Sequence, residues 1–95
     1  MANDYKVIRL NIDSNIGGTG VVSQVTGSIA KILCIQEGGQ TSQTLERIEF
    51  GNFVEPESAF TPTSTVKNVK VINGTYIDGP IGRVSGSGFL VYLNN

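Results

Sequence analysis

Five glycines crowd the stretch "NGTYIDGPIGRVSGSGFLVYLNN" (73–95), at Gly74, Gly79, Gly82, Gly86 and Gly88, and a second cluster, "GGTG", occupies 17–20. Glycine-rich turns hold phosphates when they lead into a helix whose first amides point at the anion. Both clusters lead instead into strand-like runs, no Lys-Ser or Lys-Thr follows, and the dinucleotide-binding spacing is missing. They are expected to punctuate turns, and no cofactor is expected.

Ser28-Ile29-Ala30-Lys31 matches the S-x-x-K pattern of serine β-lactamases and penicillin-binding proteins. There the two residues share a helix face in a far larger fold; here they fall in a strand-like run without the companion motifs. The chain has no His, which removes the commonest general base, and one Cys without His cannot build a zinc site. Glu55 and Glu57 flank Pro56 and would make a paired acid site if they projected together; a solvated acidic loop is the plainer reading. Asp13, Asn15 and Asp78 offer oxygen ligands for calcium, but not at EF-hand spacing. Asn73-Gly74-Thr75 matches the glycosylation sequon and reads as a turn, because no secretory signal stands at the N-terminus. No catalytic residue and no metal site is therefore expected, and the chain reads as a non-enzyme.

The elements around these residues read as strands. "YKVIRLNI" (5–12) puts Ile8, Leu10 and Ile12 on one face and Val7, Arg9 and Asn11 on the other, the period of a half-buried strand. "DSNIGGTG" (13–20) breaks it, and "VVSQVTGSIAKILCIQ" (21–36) resumes, with Gly27 marking a bulge or a bend. Alternation groups Ile29, Leu33 and Ile35 on one face, with Ala30, Ile32 and Cys34 on the other. Gln36-Glu37-Gly38-Gly39 suggests a hairpin into "TSQTLERIEF" (41–50), with Ile48 and Phe50 inward and Arg47 and Glu49 outward. Short helices at 28–36 and 42–50 are the rival readings, since Leu45 and Ile48 stand three apart.

A loop follows at 51–64, where Pro56 and Pro62 bar a central strand. Structureless connections of this length are uncommon, and this one carries Phe53, Val54 and Phe60. "TVKNVKVI" (65–72) is the next strand, Asn73-Gly74 a hairpin turn, and "TYI" (75–77) the start of the return. Asp78-Gly79-Pro80 reads as a further turn, and "FLVYL" (89–93) closes with Phe89, Val91 and Leu93 on one face. Seven or eight short strands predict an all-β fold, a small antiparallel β-sandwich or barrel, as a single domain over 1–95.

Composition narrows the function classes. A chain of 95 residues buries around 64% of its unfolded surface, enough for one core without a roomy enclosed cavity. Hydrophobic residues at 39% with only 16% charged describe a globular chain. The net charge of −1 comes without a basic block, which argues against nucleic acid as a partner. Apolar runs fall far short of the roughly 20 residues of a membrane span, so no membrane is expected. The lone Cys34 fits synthesis in a reducing cytoplasm. "KILCI" and "FLVYL" are apolar on both faces, so those strands are either central or packed on another subunit.

The close of the chain, with its Thr-, Ser-, Asn- and Gly-rich texture poor in His, Trp and Cys, resembles small virion proteins of tailed bacteriophages. The resemblance implies a decoration or cement protein on the capsid shell, bound to the major capsid protein or other virion subunits and inclined to form a homo-oligomer. It brings no catalytic residues. Phe53, Val54 and Phe60, with Tyr5 and Tyr92, are the candidate partner interface. The rival classes are a carbohydrate- or other ligand-binding sandwich or tail-fibre adhesin, for which Tyr5, Tyr76 and Tyr92 are the available rings, and a head-tail connector or tail component.

Overall fold

A computed structural model describes residues 5–11, 21–35 and 42–94. The described chain is all-β. Its strands are β1 (Tyr5–Leu10), β2 (Val21–Val22), β3 (Gln24–Cys34), β4 (Ser42–Phe50), β5 (Ser64–Ile72), β6 (Tyr76–Gly86) and β7 (Phe89–Asn94). One turn of 3-10 helix at Glu57–Ala59 is the only helical element among the described residues. The rival helix readings give way to strand, in β3 up to Cys34 and in β4 over Ser42–Phe50, as the β-branched content favours; residue 36 lies outside the described residues. The turn expected at Gln36–Gly39 and the break at 13–20 lie outside the described residues.

All seven strands belong to one sheet in the order β2-β1-β7-β3-β6-β4-β5, antiparallel apart from the short β1/β2 pairing. It is an open sheet, neither closed into a barrel nor divided into two hydrogen-bonded layers. Its neighbours differ from those the turns suggest. β4, the expected hairpin partner of β3, is separated from it by β6, and β5 and β6 are separated by β4. The Asn73-Gly74 turn does form, with Thr75 N–H donating to the Ile72 carbonyl at 3.0 Å and Gly74 at φ 89°, the third-position conformation of a type II turn. It joins two strands that do not pair with each other: local turn chemistry sets the reversal, while long-range burial chooses the neighbours.

The sheet curls strongly. In a flat sheet β3 and β5, three places apart, would be about 14 Å from each other. Here the buried Cys34 thiol on β3 donates to the Val71 carbonyl on β5 at 3.4 Å. Leu10, Ile32, Leu45, Ile48, Val71, Ile81, Phe89 and Val91, drawn from six strands, thus form one inner core. Burying each such side chain contributes about 1.5–3 kcal/mol.

Bulges let the long strands bend. Ile29 pairs with Leu93 and Lys31 with Tyr92, so β3 advances two residues while β7 advances one. That extra residue rephases the alternation, and Ile29, Ile32 and Cys34 are buried together, rather than Ile29 with Leu33 and Ile35. In β4, Leu45 pairs with Gly86 and Arg47 with Ser85, which brings Leu45 and Ile48 to the same face. Their three-residue spacing is a bulge, not a helix. A further register shift follows Thr26, beside Gly27 at φ 151°, within a continuous β3. The turn expected at Asp78-Gly79-Pro80 is absent, because β6 runs through it. Pro80 is tolerated there since it sits at the irregularity opposite Ala30, where no ladder N–H is required.

Candidate functional site

The chain's three tyrosines converge on the outer face of the sheet, the side away from the core. In register across it, Val7 on β1 stands beside Tyr92 on β7, Tyr92 beside Lys31 on β3, and Lys31 beside Asp78 on β6. Tyr5, near the start of β1, meets Tyr92 edge-on at 5.9 Å, and Tyr76, at the start of β6, meets it at 6.4 Å. β6 and β7 are separated by β3, so Tyr76 and Tyr92 reach each other above Lys31. The ammonium lies 4.8 Å from the Tyr76 ring centre, 5.1 Å from that of Tyr92 and 5.5 Å from that of Tyr5. Each such contact is worth about 0.5–2 kcal/mol, depending on desolvation. Burial, helped by the neighbouring Tyr76, pushes the Tyr92 phenol above its ordinary value. Beside this cluster Leu90 is buried between Arg9 and Leu33, while Tyr76 stays 51% exposed.

The other half of the outer face carries a roof. Between β4 and β5 the loop 51–63 folds back over β6, with Thr63 N–H donating to the Phe50 carbonyl at 2.8 Å and Gly51 N–H to the Pro80 carbonyl at 3.0 Å. Phe60 is 7% exposed and presses its ring onto Gly82, where any Cβ would overlap the ring. It stands apart from the inner core and forms a second, outer packing centre with Phe53, 6.0 Å away. Under the loop lies Glu49, expected in water and in fact 1% exposed. Its position on the strand is the outward one, as alternation predicts, but the returning loop removes the solvent. A buried carboxylate needs partners. Arg83 Nη1 donates to Glu49 Oε1 at 2.6 Å, and Arg47 Nε lies 2.7 Å from Oε2. Arg83 also donates to Glu57 Oε2 at 3.1 Å, and its guanidinium lies 5.8 Å from the Phe60 ring centre, tying the loop to the sheet.

The residues singled out by sequence fall into place on this frame. Tyr5 and Tyr92 meet; Phe53 and Phe60 meet; the two pairs lie on different halves of the outer face. Phe60 packs on its own sheet, Phe53 is half-buried, and Val54 is 47% exposed. Ser28 and Lys31 are both on β3, but Ser28 Oγ accepts from Asn94 Nδ2 at 3.1 Å while Lys31 points among the tyrosines. Glu57 pairs with Arg83. Asp78 faces Lys31 across the strands; Asp13 and Asn15 lie outside the described residues. Among the described residues no group of three or more His, Cys, Asp or Glu comes together. Cys34 is buried, which raises its thiol above the ordinary value, with a backbone hydrogen bond at Gln43 acting against this.

Of the terminal glycines, Gly74 makes a turn and Gly82 admits a ring. Lys31 as the centre of the tyrosine cluster, and Glu49 with Arg83, are not visible in the sequence. The Glu49–Arg83 pair spans 34 residues, and only their cross-strand register brings them together. No helix among the described residues is long and apolar enough to cross a membrane. No protein-family model, curated protein or solved structure matches the chain.

Proposed function

We propose that the chain is a non-catalytic structural protein that docks onto a larger assembly, a tailed-phage virion in which it decorates or cements the outer capsid shell. Its partners in this reading are the major capsid protein or other virion subunits, and copies of itself. In this reading the curled sheet serves as a compact sandwich-like body.

The observation that supports docking is the fastened loop 51–63. Phe60 and Arg83 anchor it, and it holds out Val54, 47% exposed, beside the half-buried Phe53. A loop ordered before contact spares much of the conformational entropy that association otherwise costs.

The test is co-sedimentation of the purified protein with shells stripped of it. Wild type is expected to pellet with the shells, Val54→Ser to pellet markedly less at unchanged melting temperature, and cryo-EM of decorated shells to place the loop against a subunit. Failure of the wild-type protein to pellet with shells removes the virion reading.

A further inference from the structure

Among the described residues, only half of the outer face is roofed. Over β1, β7, β3 and the N-terminal half of β6, no loop among the described residues packs across the tyrosines. We propose that this half is a binding platform for a chain of uncharged sugars, with Tyr76 as the stacking ring. Lys31, Asp78, Ser28 and Asn94 supply hydrogen bonds around it.

Three observations carry this. The first is ring chemistry. A pyranose presents C–H groups on its faces and hydroxyls around its rim, so it is matched by an aromatic face bordered by donors and acceptors. Tyr76 is half in water, Asp78 and Lys31 are directly opposed on adjacent strands, and the Asn94 amide already donates to Ser28 on the same side. The second is charge. Lys31 and Asp78 cancel, Lys31 is wrapped by three rings, and Arg9 beside Leu90 is already engaged. Little field is left to favour an anion.

The third is the contrast with the roofed half. There the chain buries phenylalanine permanently; here it uses phenols, which keep the face wettable when nothing is bound. Contact surfaces between permanent partners are more apolar than this. The face crosses four neighbouring strands, β1, β7, β3 and β6, which suits an oligomer better than a single sugar. Lys31 pins the rings in one arrangement, so little rotamer entropy remains to be lost on binding.

The experiment is isothermal titration of the full chain with maltohexaose, cellohexaose and chitohexaose, and with heparin as an ionic control. At least one of the neutral hexaoses is expected to bind. Tyr76→Ala should weaken it about ten-fold or more, a loss of about 1.4 kcal/mol, while the protein stays folded with only a small fall in melting temperature. Val54→Ser, on the other half, should bind as wild type. The proposal is overturned if no neutral hexaose binds at millimolar concentration, if heparin alone binds, or if Tyr76→Ala binds the sugar unchanged. Pelleting with shells is a separate readout, so the two proposals stand or fall independently.

Discussion

On the outer side of β4 and the C-terminal half of β6, the chain covers its sheet with its own loop; on the outer side of β1, β7, β3 and the start of β6, the described residues leave it open. The two halves solve the same physical problem, a sheet with a second face, by opposite means. The roofed half drives Phe60 onto a glycine and neutralises the enclosed Glu49 with Arg83 and Arg47. The open half keeps a lysine among three phenols, where both ammonium and hydroxyls remain compatible with water. A hydrophobic ring beneath a loop contributes chiefly to folding; a half-exposed tyrosine contributes less to folding and keeps a surface free to serve contact.

Truncation on each half breaks or confirms that contrast. Phe60→Ala is expected to cost about 3 kcal/mol, the low end for a buried Phe because the loop can settle. Tyr76→Ala, which gives up one partly exposed cation–π contact, should cost only about 0.5–1 kcal/mol. Urea denaturation of both variants decides it; equal losses would mean that the loop is no roof.

Gly82→Val should cost about 1–3 kcal/mol by overpacking. Most of that cost should vanish in a Phe60→Ala background, because the two sites share one space. Additive losses in the double-mutant cycle would place the damage elsewhere in β6.

Arg83→Met leaves the enclosed Glu49 with only Arg47, whose side chain is 48% exposed. A loss of about 2 kcal/mol is expected, partly recovered by adding Glu49→Gln. Glu57→Gln, at the exposed end of the same network, should change stability by less than about 1 kcal/mol. A larger effect of Glu57→Gln than of Arg83→Met would show that the loop's tether, not the enclosed charge, dominates.

The smallest effect belongs to the open half and appears with pH. Tyr92 is raised in the folded state, so its contribution is complete below the ordinary phenol value of about 10 and is lost as pH climbs through the raised one. Cys34 acts in the same direction, starting from about 8.5. Melting temperature should therefore decline in alkali, with a shallower decline above about pH 10 in Tyr92→Phe. An unchanged slope in that variant would mean that Tyr92 does not feel the cluster.

Strand content was legible because alternation needs only neighbouring residues: Ile8 and Leu10, or Phe89, Val91 and Leu93, declare their face within one short run. The Asn73-Gly74 reversal was legible for the same reason, since a glycine's φ is a local matter. The bulges were not: one extra residue opposite a distant partner turns Ile29/Ile32 and Leu45/Ile48 into spacings that imitate a helix. Pro80 misled in the same way, reading as a turn residue until its place opposite Ala30 is known.

What the sequence determined by itself is a β-chain with one marked turn, no histidine chemistry, and a loop too apolar to stay in water. Which strands are neighbours, where Phe60 comes to rest, that Glu49 needs Arg83, and that three tyrosines separated by as much as 87 residues enclose Lys31 were decided only by the curled sheet. Strand pairing is a competition among all segments for buried area and satisfied backbone, and no single segment contains its outcome.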